Sequence, residues 1–434
     1  MYNLNRKFFF LLVGACVLFS SCSQNPLAGS TIQPTNVPDL ENTQPAIQST
    51  SFSDKDIQGT VSIYHSWNED KRSALDDILR EFNKKYPDVY FDITFIPADE
   101  LQDLFASEVT QDRGPTLLLG PAEWGPALFD ASLIKDLDLF FDPAMLDDLN
   151  SPALEASVYN GKLASLPYSI HGIVLYRNKD IMTITADNFD ELVMLAQAAT
   201  QGEIAGAILE RSFYYSGGHL LGVGGKLMDE NAFPSFNTPE GETWLQLLQN
   251  FELVGKTSFF SDEGLEEFKA GRVGWIIDGS WNLVELAEAI GAEKLAVDPW
   301  PELDAGRLSG FVQSDNLFLS ATAEDDALEA ARVFMEYFLN QTAQAHLAEV
   351  NFIPAALFVD MPDTDFSPII AQAMTAMAKG VAYPNVPVMD LYSLHLDLAI
   401  KAYLESGLQA SKALGQAYEA ILADMAAQNP TPTP

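Results

Sequence analysis

Residues 60–119 alternate short strand patterns with helical ones, and that order constrains the fold more than any other feature of the chain. Val-Ser-Ile-Tyr at 61–64 reads as a strand. Leu75, Ile78, Leu79 and Phe82 then share one helix face, with Ser73 as the expected cap and Asp76 completing a capping box. Pro87 stops that helix, 89–96 reads as a second strand, 101–109 as a helix and 116–119 as a third strand. Strands joined through helices pair in parallel, which predicts a doubly wound α/β layer that binds ligands outside the carboxyl ends of its strands. Those ends deliver Tyr64-His65-Ser66-Trp67 and Gly120-Pro121-Ala122-Glu123-Trp124.

Asn160-Gly161 is a hairpin-turn signal. A short run to Leu166 follows, Pro167 is expected to end ladder donation there, and the apolar run 172–176 reads as a separate buried strand. Tyr168, Ser169 and His171 would lie at the junction of the two runs. A second alternation follows: a helix at 189–199, a strand at 205–209 leading to Phe213-Tyr214-Tyr215, and a helix capped by Thr238 with Pro239 at its first position. A strand at 273–277 then ends in Asp278-Gly279-Ser280-Trp281, and a helix is expected at 325–339.

Residues 1–22 place Arg6 and Lys7 before an uncharged apolar run and end in Ser20-Ser21-Cys22, the layout of a secretory signal. The end resembles a lipoprotein processing site, with Cys22 as the acylated residue; Phe19 departs from the usual Leu or Val, and Cys16 fits the local pattern with a shorter apolar core. Both cysteines of the chain lie in this leader, so the remainder has no pair to oxidise and must be held by its core. Residues 23–56, rich in Ser, Thr, Gln, Asn and Pro, read as a disordered tether, and 428–434 as a disordered tail. The formal charge of −37, from 24 basic and 61 acidic residues, disfavours nucleic acid and anionic ligands.

The turn Tyr159-Asn160-Gly161-Lys162 resembles the first lobe crossing of bacterial extracellular solute-binding proteins, the maltose-binding-like family serving ABC sugar importers. Phe268-x-x-Gly271 with Gly279 and Trp281, Asn351-x-x-Pro354, and Pro384-Asn385-x-Pro387 resemble further signatures of that family in the same order, from about residue 60 to 425. The resemblance implies a two-lobed, type II periplasmic-binding-protein-like α/β fold, each lobe a mainly parallel sheet flanked by helices, with three inter-lobe crossings. Lobe 1 would comprise 57–170 and 311–378, and lobe 2 would comprise 171–310 and 379–427.

The implied function is a monomeric exported lipoprotein, on the outer face of the cell membrane or in the periplasm. It captures a neutral sugar or oligosaccharide for an ABC permease, with no cofactor, metal or catalytic step. Aromatic faces that cover sugar C–H patches and polar groups that satisfy hydroxyls point to Trp281, Trp67, Trp124, Tyr64, His65, Glu123, His171, Phe213, Tyr215 and Tyr392. Asp278 and Asp315 either accept hydroxyl hydrogens or orient loops. Gly120 and Ser393 stand where maltose-binding relatives use Trp, so maltose itself does not carry over. The alternatives are a polyamine or ferric-ion receptor, the latter from Tyr214-Tyr215, and a surface glycoside hydrolase. The chain has no Gly-x-Ser-x-Gly, His-Glu-x-x-His or phosphate-loop motif.

Overall fold

The computed structural model describes residues 57–258 and 262–428. The expected leader with Cys22 and Cys16, the whole of the expected tether and residues 429–434 lie outside them. No helix among the described residues is long and apolar enough to cross a membrane.

One mixed sheet organises the chain. Its strand order is Val89–Phe95, Gly59–His65, Leu117–Pro121, Phe311–Leu319, Leu166–Asn178, Val273–Gly279, Ala205–Glu210 and Gly255–Ser258. The first three strands are mutually parallel, as are the last three. The two parallel triplets are the sheets of the two lobes, and antiparallel pairing through Phe311–Leu319 and Leu166–Asn178 joins them.

Leu166–Asn178 has 13 residues, a span of roughly 43 Å at about 3.3 Å per residue. Its first half pairs with Phe311–Leu319 and its second half with Val273–Gly279. The strand therefore does not break at Pro167, as the sequence led us to expect. Pro167 faces Asn316 where the ladder shifts register between Asp315 and Asn316, a bulge that accommodates the missing N–H. Tyr168, Ser169 and His171 thus sit inside a continuous strand.

The three expected crossings lie side by side: Val312 is in register with Gly172 on one flank and with Ala382 on the other. Gly172 and Gly310 permit this approach, since a Cβ on either would come within 2.3 Å of Phe311 O or 2.0 Å of Ile173 O respectively.

Most predicted elements form with shifted ends. The hairpin Val158–Tyr159/Lys162–Leu163 turns at Asn160 and Gly161 with φ of 51° and 71°, the positive values that a type I′ turn requires. Thr238 caps Pro239–Asn250 by accepting from Gly241 N. The first helix, Glu69–Lys85, starts four residues before Ser73. Its cap is Asn68, which accepts from Lys71 N, while Ser73 Oγ donates to Asp70 O within the helix and Asp76 pairs with Arg72. Its expected apolar face, Leu75, Ile78, Leu79 and Phe82, is buried.

Separate apolar cores lie against the two halves of the sheet, one around Phe82, Phe334 and Phe338, the other around Phe213, Trp244 and Leu248. A third, with Val174, Tyr176 and helix Ser367–Met377, packs against the crossing strands.

Candidate functional site

The crossing strands carry polar side chains where most of their neighbours are apolar. Asp315 is in register with Ser169, and Gln313 with His171, so all four project from the same face of the sheet. Ser169 Oγ donates to Asp315 Oδ2 at 3.1 Å. A cavity of about 270 Å³ opens here, lined among others by Glu123, His171, Gln313, Asp315, Tyr383 and Asn385. Asn385 Nδ2 donates to Ala122 O at 2.6 Å and Ala156 O at 3.0 Å, tying the third crossing to lobe 1. No Lys or Arg lines the cavity. Buried Ser314 also lines it, and its Oγ has no hydrogen-bond partner.

Tyrosines and a tryptophan adjoin this polar floor. Tyr214, in helix Phe213–Gly222 of lobe 2, donates its hydroxyl to Gln313 Oε1 at 2.6 Å. Its ring centroid is 5.7 Å from Tyr383, 5.7 Å from Tyr215 and 6.2 Å from Trp281. Burial, with smaller contributions that include the Glu123 carboxylate, pushes the Tyr214 hydroxyl well above its ordinary pKa, so it stays a neutral donor. Glu123, on lobe 1, lines the same cavity as Gln313, to which this lobe 2 tyrosine donates.

Trp281 and Trp124 use the same local device. Each lies in a short 3₁₀ turn just after a strand, and each indole lies against a glycine at or next to that strand's end, Gly279 for Trp281 and Gly120 for Trp124. A Cβ on Gly279 would fall 2.0 Å from the Trp281 ring, and one on Gly120 would fall 2.2 Å from the Trp124 ring. Trp281 remains 49% exposed, whereas Trp124 is half-buried against the cluster of Ile96, Leu101 and Phe105.

Of the residues singled out from sequence, Glu123, His171 and Asp315 line the cavity, and Trp281 and Tyr215 adjoin it through Tyr214. Tyr64 is half-buried with its hydroxyl donated to Glu108 at 2.5 Å, and burial reinforced by that bond raises its pKa to about 12.

Five others sit in packing or loop-orienting positions, the second being one of the two roles expected of Asp278. Trp67 is buried in the lobe 1 core, with Nε1 donating to Tyr168 Oη at 3.2 Å. His65 is buried beneath it; its Nδ1 accepts from Trp67 N at 3.0 Å, and burial first, then Arg72, lowers its pKa to about 4. Phe213 packs between Trp244 and Phe311 in the lobe 2 core. Tyr392 is buried and donates to Ala232 O at 2.8 Å. Asp278 is buried and holds the turn below Trp281, accepting from Gly279 N at 2.6 Å and Asn282 Nδ2 at 3.1 Å.

Gln313, Tyr383 and Ser314 were not singled out as site residues. A polar Gln-Ser-Asp run inside an apolar strand, and a Tyr beside Pro384-Asn385, were the signals present for them. Among the described residues there is no group of three or more His, Cys, Asp or Glu able to hold a metal ion.

The chain matches the model of a family described as bacterial extracellular solute-binding protein over residues 77–385. It is 22% identical to the galactooligosaccharide-binding protein of Bacillus subtilis, covering 81% of this chain and 86% of that one. It is also 22% identical to a maltooligosaccharide ABC transporter solute-binding lipoprotein of Streptococcus pneumoniae, over 66% of this chain and 70% of the relative. Among solved structures, an extracellular solute-binding protein from Staphylococcus aureus in complex with maltose superposes with a TM-score of 0.77 at 18% identity, covering 87% of this chain and 100% of that one. A cyclo/maltodextrin-binding protein complexed with maltotetraose gives 0.74 at 20% identity, covering 87% and 99%. These are binding proteins, not enzymes, and their fold is the two-lobed arrangement described above. With more than half of its length matched by the family model, the chain belongs to the bacterial extracellular solute-binding protein family.

Proposed function

We propose that the protein captures an uncharged oligosaccharide in the cleft between its lobes and delivers it to the permease of an ABC importer. In this reading it is exported as a monomer and held at the outer face of the membrane by lipid on Cys22. The observation that carries the reading is the site's composition: stacked polar side chains on adjacent crossing strands, aromatic faces beside them, and no Lys or Arg among the lining residues. Hydroxyls need acceptors such as Asp315, Gln313 and Glu123, and sugar C–H faces need rings such as Trp281 and Tyr214. An anionic solute would meet two carboxylates with no cation to offset them. The galactooligosaccharide and maltooligosaccharide specificities named for the relatives set the chemical class to test.

The experiment is a thermal-shift and calorimetric screen of neutral mono- and oligosaccharides. A true ligand at about 100 times its Kd adds about 2.7 kcal/mol of stability. Trp281→Ala is expected to cost about 2 kcal/mol of affinity, the loss typical of an anchoring aromatic ring. Because Glu123 and Asp315 also suit a cation, spermidine belongs in the panel; a shift with spermidine and none with any sugar would replace this reading with a polyamine receptor.

A further inference from the structure

A second cavity, of about 480 Å³, shares no lining residue with the cleft. It lies between the end of strand Leu295–Asp298, the two-residue hairpin arm Gly306–Arg307, and helix Ser367–Met377 with Lys379 beyond it. Lys379 precedes strand Val381–Ala382, and the cleft residues Tyr383 and Asn385 follow it. The volume is that of a small-molecule pocket.

Its lining is basic although the chain is strongly acidic. Val297, Trp300 and Ala376 give it a buried apolar floor. Its rim carries Arg307 and Lys379, and no Asp or Glu lines it, in a chain with 61 acidic and only 24 basic residues. Arg177, Lys269 and Arg332 are paired with carboxylates, whereas among the described residues neither Arg307 nor Lys379 forms an ion pair, a state they share with Lys179 and Lys226. Glu302 stands opposite Arg307 in the hairpin yet lines a different cavity and does not pair with it.

A second, independent sign of a missing partner is the indole of Trp300. The side chain is 5% exposed, and its Nε1–H has no acceptor. Buried donors are nearly always satisfied, so an orphan on a residue that lines the same groove as two unpaired cations is a place for an acceptor to arrive.

We propose that this groove is a second ligand site, one that takes a compact amphipathic anion. The apolar body would rest on Val297, Ala376 and the Trp300 ring. The carboxylate or sulfonate head would lie against Arg307 and Lys379 within reach of a donor such as Trp300 Nε1–H. The site is independent of the sugar reading, because none of these residues belongs to the cleft.

The test is calorimetric titration of the full chain with 4-phenylbutyrate and with its uncharged counterpart 4-phenylbutanol, at low ionic strength. The acid is expected to bind with one-to-one stoichiometry and at least about tenfold more tightly than the alcohol. The double variant R307Q/K379Q should weaken the acid about tenfold or more and leave the alcohol unchanged, with an unaltered melting temperature showing that the fold is intact. W300F should weaken the acid as well, and E302Q should leave it unchanged or tighten it. Equal binding of acid and alcohol would reduce the groove to an apolar depression and overturn the proposal. So would acid binding unaffected by R307Q/K379Q, or no saturable binding up to about 1 mM.

Discussion

Replacing Gly279 by Ala tests whether the half-exposed Trp281 is a ligand platform. The backbone at Gly279 has φ −77° and ψ 144°, an extended conformation that Ala adopts without strain, so any effect comes from the added methyl group. That methyl would lie 2.0 Å from Cε2 and Cζ2 of Trp281 and 2.4 Å from its Cη2. Carbon atoms in contact need about 3.5–4.0 Å, so the indole must retreat by about 1.5–2 Å or leave its seat. Trp281 is 49% exposed, so displacing it opens no core cavity, and stability should stay within about 0.5 kcal/mol of the parent. A stacking platform moved that far loses most of its contact. The expected affinity loss is therefore close to that of truncation, about 2 kcal/mol or about 30-fold.

Gly120→Ala is the internal comparison: the Trp124 ring is 2.2 Å from the new methyl but packs into a buried cluster, so overpacking should cost about 1–3 kcal/mol of stability. Calorimetry with the best sugar from the screen, alongside urea unfolding of both variants, reads the two effects separately. Unchanged sugar affinity in Gly279→Ala would refute the platform role of Trp281. A stability loss of several kcal/mol there would show that the indole is part of the core after all.

Two further predictions concern the buried polar groups. Burial holds the His219 pKa down at about 3, with Nδ1 accepting from Ser309 N at 3.1 Å. The unfolded chain binds that proton below about pH 6.5 while the native state refuses it, so the stability contribution is full above about 6.5 and is lost as pH falls toward about 3. His219→Asn keeps an acceptor for Ser309 but does not titrate in this range. It should flatten the decline in urea-unfolding free energy between pH 7 and 5 by up to about 1.4 kcal/mol per pH unit, and equal slopes would refute the account. Tyr168→Phe removes the acceptor of the buried Trp67 Nε1–H; denaturant titration should show a loss of about 1–3 kcal/mol with sugar affinity intact, whereas weakened sugar binding would return Trp67 to the cleft.

The architecture was legible because periodicity reports burial. The alternation at 61–119 and the apolar helix face ending at Phe82 are consequences of which residues face the sheet. Local signals competed less reliably: Ser73 and Asp76 make a capping pattern, but Asn68 binds Lys71 N first and the helix simply continues through them. At the site, Glu123, His171 and Asp315 were identifiable as polar groups at strand ends or within apolar strands. The rule that ligands gather at strand ends gives the location of a side chain but not its direction. Trp67 and Phe213 both follow strand ends, yet Trp67 turns inward as His65 takes its backbone N–H, and Phe213 starts a helix whose first turn faces Trp244. Tyr392 lies on the buried face of helix Met389–Leu404, a face shared by Leu396 and Ile400 that the single aromatic position did not reveal.

The continuity of the sheet restricts how the lobes can close on a ligand. Val312 is hydrogen-bonded into register on both flanks, and Gly172 and Gly310 bring backbones too close for any side chain between them. Unpairing these strands would orphan backbone groups in a buried place, so the closure that the proposed function entails would be absorbed as a change of twist along Leu166–Asn178 and its neighbours. Tyr214 already reaches from a lobe 2 helix to Gln313 on a crossing strand, and Glu123 of lobe 1 lines the same cavity as Gln313. On the function proposed above, a solute touching Glu123 and Trp281 at once would gain the second contact only when the lobes approach, and that difference in contact would stabilise the closed state.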